Sequence, residues 1–143
     1  MTVKAVLSVK GNNVLTVDPT RKLADATKLL AEHSIGALVV TGPDRRVIGI
    51  VSERDIVHAL ASHGTAALEL PLTDVMTRRV STCSHSDTIC SLMERMTQGK
   101  FRHLPVVEQG RLAGIVSIGD VVKHRLHEME SEQSALRDYI QTA

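Results

Sequence analysis

The chain repeats itself, and that repeat constrains its fold more than any other feature. Residues 48–57 read IGIVSERDIV and residues 113–122 read AGIVSIGDVV, at an offset of 65. Gly49, Ile50, Val51, Ser52, Asp55 and Val57 recur as Gly114, Ile115, Val116, Ser117, Asp120 and Val122. Upstream, ALVVTG at 37–42 matches HLPVVE at 103–108 at an offset of 66, so one residue is lost between the blocks. Further back, Leu23 faces Ile89, Leu30 faces Met96 and Ile35 faces Phe101. The copies cover 14–60 and 79–126. Stacked arrays need three or more units, so two copies are expected to close a shared core about a pseudo-two-fold.

Each copy has the same internal order. A short strand (14–17; 80–83) leads to turn and cap residues, Asp18-Pro19-Thr20 and Ser84 to Asp87. Leu23, Ala26, Leu29 and Leu30, and then Ile89, Leu92, Met93 and Met96, keep helical spacing. Two β-branched runs follow, around 37–41 and 47–52 and again around 103–107 and 112–117. They are joined by Gly42-Pro43-Asp44 in one copy and Glu108-Gln109-Gly110 in the other, and a second helix begins near Ser52 and near Ser117. The unit is β-α-β-β-α. Runs such as ALVV are apolar on both faces, which suits a sheet covered by helices. The fold class is therefore α/β (α+β), with a first repeat and its N-terminal segment in 1–62, a linker and lead-in in 63–78, a second repeat in 79–126 and a C-terminal helical extension in 127–143. Ala5-Val6-Leu7 in the N-terminal segment parallels Asp74-Val75-Met76 in the lead-in.

Composition removes several classes of function. Seventeen Lys and Arg against 16 Asp and Glu leave a net charge of +1, which argues against a general binder of nucleic acid or anionic membrane. One Phe, one Tyr and no Trp leave no aromatic platform for stacking bases. Cys83 and Cys90 make neither a disulfide framework nor a four-ligand zinc site, and both are expected to be small buried residues. His124 and His127, three apart on a predicted helix, are expected on a solvated face rather than on a metal. No apolar run approaches the length that spans a bilayer, and no targeting signal is legible, so the expected setting is cytoplasmic. No Walker loop, GxSxG or HExxH is present, and nothing assembles a nucleophile, base and orienter. The expectation is not an enzyme.

GIVSERD (49–55) and GIVSIGD (114–120) carry the chemistry. A buried strand ends at a serine, and a helix starts there with an aspartate three residues on. Two readings stand side by side. In one, Ser52 with Asp55 and Ser117 with Asp120 are simply capping boxes. In the other, the helix start offers N–H groups and a positive dipole end to an anion, while the aspartate accepts both hydroxyls of a ribose.

These pieces, with FRHLPVVEQGRLAGIVSIGDVV (101–122) and DVMTRRVSTCSHSDT (74–88), resemble a tandem CBS-domain module, also called a Bateman module, of the stand-alone bacterial type. The resemblance covers nearly all of residues 1–126. It implies an adenosyl ligand, with AMP placed first and NAD or ATP as alternatives, bound in clefts between the two CBS repeats; no catalytic cofactor is implied. It implies that Asp55 and Asp120 hold ribose hydroxyls, that Ser52 and Ser117 sit near phosphate or ribose, and that Arg102 and His103 face phosphate. Residues around Leu7 and Met76, with Gly36 and Ala37, would line adenine slots. Arg54 and Lys4 are further candidates for the phosphate chain. The first copy has Gly36 and Ala37 where the second has Arg102 and His103, and Gly119 stands where the first has Arg54, so the two clefts are expected to differ. The implied role is a sensor acting in trans on an unidentified effector protein. The alternative is a structural homodimerisation module with vestigial ligand sites.

Beyond the repeat, Val122, Leu126, Met129, Gln133, Leu136 and Ile140 are spaced as a heptad seam. That helix is expected either to pack back on its own module or to clamp a homodimer.

Overall fold

The computed structural model of the protein describes residues 1–142; residue 143, the last of the expected C-terminal extension, lies outside the described residues. Helix α1 (Val3–Lys10) starts at Thr2, whose hydroxyl accepts the Ala5 N–H at 3.4 Å. Gly11 ends it at φ 99°, a left-handed backbone that costs glycine little. The first repeat then runs β1 (Thr16–Val17), α2 (Leu23–His33), β2 (Ala37–Thr41), β3 (Val47–Ser52) and α3 (Glu53–His63). The second runs α4 (Ile89–Gly99), β4 (His103–Glu108), β5 (Arg111–Ser117) and α5 (Ile118–Thr142). Strand β1 pairs parallel with β2, and β2 pairs antiparallel with β3; β4 and β5 form the matching antiparallel pair. Both hairpins shift register at the equivalent place, Val40/Thr41 and Val106/Val107. The fold is α+β.

The first strand of the second repeat shrinks to a single bridge, Cys83 with Val106, parallel. Its register matches Val17 with Val40 in the first repeat. Cys83 N–H donates to Pro105 O at 3.0 Å and Val107 N–H donates to Cys83 O at 2.8 Å. The next rung needs an N–H at position 105, and proline has none. The first repeat has Val39 there, so its strand continues through Thr16.

The cores are assembled by exchange. Val3, Val6 and Leu7 of α1 lie in the core of the second repeat, with Ile89, Leu92, Leu104 and Val116. Ala67, Leu72 and Met76, from the segment before the second repeat, lie in the core of the first. Backbone bonds secure both exchanges: Val3 N–H to Asp87 O at 2.9 Å, and Ile50 N–H to Thr77 O at 3.0 Å with Thr77 N–H to Ile50 O at 2.9 Å. Chain order and packing therefore group these segments differently. Leu7 fills the space over Gly114 as Met76 fills the space over Gly49, which makes the two segments equivalent in space as well as in sequence.

Cys83 is buried, and burial pushes its thiol up to about 12, which leaves it inert near neutral pH. Cys90 corrects its expectation: it is exposed. It follows the core-facing Ile89, and one helical step of about 100° turns it outward. Of the histidine pair, His127 is exposed, whereas His124 is buried, at 8% exposure. Helix α5 continues unbroken past the second repeat, and residues 131–142 are exposed on every side. That stretch does not pack back on its own module. No helix among the described residues is long and apolar enough to cross a membrane.

Candidate ligand clefts between the repeats

The motif strands deliver two equivalent corners. At the end of β3, Ser52 N–H and Ser52 Oγ both donate to Asp55 Oδ2, at 2.9 and 3.1 Å. At the end of β5, Ser117 N–H and Ser117 Oγ both donate to Asp120 Oδ2, at 2.9 and 3.0 Å. Each serine hydroxyl also takes the aspartate's own N–H, at 3.4 and 3.2 Å. The capping-box reading is thus realised in both copies, and it preorganises the carboxylates at two helix N-termini. Upstream carbonyls complete the corners: Glu53 N–H donates to Gly36 O at 3.0 Å and Ile118 N–H to Arg102 O at 2.8 Å.

The two aspartates differ in their third partner. Thr77 Oγ1 donates to Asp55 Oδ1 at 2.9 Å. Asp120 instead receives Lys10 Nζ on Oδ2 at 2.6 Å, and the same ammonium donates to Ile115 O at 2.9 Å. Burial pushes the Asp120 carboxyl up, but the Lys10 hydrogen bond, the Ser117 backbone N–H, the Lys10 charge and the Ser117 hydroxyl together outweigh it, leaving the group below the usual carboxylate range.

At the Asp120 corner, Ser117 and Lys10 line a cleft of about 840 Å³, a size suited to a small-molecule ligand; Asp120, bonded to both, is not itself among the lining residues. Both repeats line it. Gly36, Ala37, His103 and Ser117 meet there with Lys10 and Arg45. Arg45, from the β2–β3 turn, reaches across the repeats to donate its Nε to Leu112 O at 3.2 Å. Gly36 and His103 are a matched pair: a Cβ on Gly36 would stand 3.3 Å from His103 Cε1 and 3.8 Å from the Glu53 carboxyl carbon. Gly36→Val is therefore expected to displace the His103 ring, which chemical shifts of the imidazole protons would report; an unmoved ring would refute this.

Burial and then the Lys10 charge hold the His103 pKa below its ordinary 6.5, against the opposing charges of Glu53 and Asp120, with Arg102 adding to the depression. A histidine depressed in the folded state contributes stability above its unfolded pKa and loses it as pH falls through that value. Stability is thus expected to fall between pH 7 and 5.5 in the native chain by more than in His103→Gln. Asp120 titrates below this window and does not contribute to the difference. Paired thermal melts check this, and equal slopes for the two proteins would contradict it.

The remaining sequence candidates distribute as follows. Ser52 and Asp55 make the second corner. Arg54 Nη1 donates to Lys100 O at 3.4 Å, so it crosses from the first repeat to the segment leading to Arg102. The Arg102 side chain is exposed. Leu7 and Met76 are core residues, 3% and 8% exposed, packed over glycines, and neither lines the Asp120 cleft. Lys4 is exposed on α1, its backbone N–H bonded to His85 O, and it does not line the Asp120 cleft. The lysine that does is Lys10, which sequence reasoning missed along with Arg45 and Thr77. No local motif marks any of the three: Lys10 and Asp120 are 110 residues apart.

Two fused repeats with capped carboxylates at paired helix starts, and a cleft between them, define a two-repeat module. The CBS domain family model matches residues 3–62 and 72–127, and the chain belongs to the CBS-domain family. A solved CBS-domain-containing protein from Agrobacterium tumefaciens is 50% identical with a TM-score of 0.85, over 87% of this chain and 99% of that one. A CBS-domain protein from Pyrobaculum aerophilum, solved complexed with AMP, is 27% identical with a TM-score of 0.74, over 84% of this chain and 89% of that one. The CBS domain pair of the protein MJ0100, solved in complex with 5′-methylthioadenosine and S-adenosyl-L-methionine, is 25% identical with a TM-score of 0.77, over 86% of this chain and 98% of that one. The chain is thus a tandem CBS pair, from a family in which adenosine-containing ligands have been seen bound.

Proposed function

We propose that this CBS pair binds an adenosyl ligand in the clefts between its repeats and acts as a regulatory module on a separate effector protein. The observation that carries the reading is the Asp120 cleft. Ser117, His103 and Lys10, on elements of the second core, meet Gly36 and Ala37 of the first repeat there, and Asp120 is bonded to both Ser117 and Lys10. A carboxylate fixed by two bonds from its own serine is suited to accept a ribose diol, and the nearby cations are suited to a phosphate. AMP is the first ligand of choice, with NAD and ATP as alternatives; the AMP-bound and S-adenosylmethionine-bound relatives support the adenosyl class. The ligand would regulate by favouring one arrangement of the repeats, and only by the difference in its affinities for the two.

The proposal includes a homodimer in the cytoplasm. The exposed stripe Val122, Leu126, Met129, Leu136 and Ile140 on α5 supports pairing. One observation favours the rival, a dimerisation module with vestigial sites: both aspartates are already bonded within the chain. Calorimetric titration with AMP separates the two. Saturable binding that is lost in the double variant Asp55→Ala/Asp120→Ala supports the ligand reading. No heat at millimolar AMP, with the dimer intact by sedimentation, supports the rival.

A further inference from the structure

The geometry points to Lys10 as a resident plug of the Asp120 corner that makes this cleft select adenosyl ligands carrying an anionic tail over neutral ones. This rests on the adenosyl reading above. Lys10 Nζ sits on Asp120 Oδ2 at 2.6 Å and on Ile115 O at 2.9 Å, so with Ser117 it occupies the Oδ2 that a ribose diol would share, and among the described residues no hydrogen bond engages Oδ1. Its counterpart in the other corner is a neutral donor, Thr77, on Asp55. Lys10 stands at the C-terminal end of α1, and the next residue, Gly11, turns the chain at φ 99° into the cleft-lining segment Asn12 to Leu15. The ion pair is only partly exposed, 31% on the lysine and 22% on the aspartate.

The selectivity follows from what the displaced ammonium meets. A diol that takes Asp120 Oδ2 displaces the Lys10 ammonium from its direct bond there, although the carboxylate keeps its charge. With a neutral tail, the ammonium gives up that direct bond near Arg45 and gains no new anionic partner in return. With a phosphate, the ammonium exchanges one direct anionic partner for another, and Arg45, which bonds the neutral Leu112 carbonyl, gains an anionic one. The plug also lowers every ligand's apparent affinity by the fraction of time the corner is closed. The Asp55 corner has no such cation on its carboxylate, so the two corners of one chain are tuned differently.

The test uses Asp55→Ala, which leaves the Asp120 corner complete, as the background for calorimetric titrations with AMP and with the neutral 5′-methylthioadenosine. The background protein is expected to prefer AMP by about 10–100-fold, the span of one charge-assisted contact. In Lys10→Met on that background, the thioadenosine gains affinity, AMP loses it, and the ratio falls toward unity. Lys10→Arg keeps the preference. Should Lys10→Met fail to fold, Lys10→Gln is read by the same ratio. An AMP preference unchanged by loss of the charge, with both ligands bound, overturns the plug and leaves the adenosyl reading standing. Failure of every adenosyl compound to bind the native chain overturns both.

Discussion

Asp120→Ala is expected to weaken AMP binding at its cleft by about 10–100-fold, the span of a hydrogen bond to a charged group removed from a partly buried site. Titration calorimetry with a two-site fit measures it. The fold is expected to survive, because the lost cap costs about 0.5–2 kcal/mol and the Lys10 ion pair, being partly exposed, adds little. Asp55→Ala is expected to affect only its own corner and leave this cleft intact, since Asp55 bonds Ser52 and Thr77 and shares none of the partners of Asp120. AMP affinity unmoved by either change, in a folded protein, would remove the aspartates from the site.

Leu7→Ala is expected to destabilise the protein by about 2–5 kcal/mol, the range for emptying a fully packed leucine site. For a chain of this size that is a fall in melting temperature of roughly 5–15 °C. Leu7 is 3% exposed and rests against Gly114 in the core of the second repeat, although it lies over a hundred residues upstream in the chain. Lys4→Ala, exposed on the same helix, is expected within about 0.5 kcal/mol of the native chain. A Leu7→Ala protein as stable as the Lys4→Ala control would show that α1 is not part of that core.

What the sequence makes legible here is local, and what it hides is distant. Ser52 and Ser117 announce helix starts because the cap, the N3 aspartate and the preceding apolar strand lie within ten residues of one another. Repetition of that pattern is enough to give the β-α-β-β-α plan. The shortened strand at Cys83 was in principle readable, since Pro105 removes a donor that Val39 supplies. The destination of α1 was not: Val3, Val6 and Leu7 are an ordinary apolar face, and only the folded chain decides which repeat they complete. The cleft shows the same limit. Of its lining, Ser117, Gly36, Ala37 and His103 lie in or beside the repeated motif, whereas Lys10 and Arg45 enter through contacts that no spacing encodes. Leu7 and Met76 were matched correctly to each other, yet the glycines beneath them draw both into the core.

The exchange of segments also bears on regulation. Each repeat's core contains residues from the stretch preceding the other. The Asp120 cleft takes Lys10 from α1 and Ser117 from β5, both anchored to the second core, together with Gly36 and Ala37 from the first repeat. A ligand seated there would bridge both cores, which is where a change in their relative position could be biased.

The most direct test is an AMP titration of the ¹⁵N-labelled protein followed by NMR. Saturable shifts of the Ser117, Gly119 and Asp120 amides and of Gly36 across the cleft are expected, with the exposed end of α5 unmoved. Amides that stay fixed at millimolar AMP, or shifts confined to residues away from both corners, would contradict it.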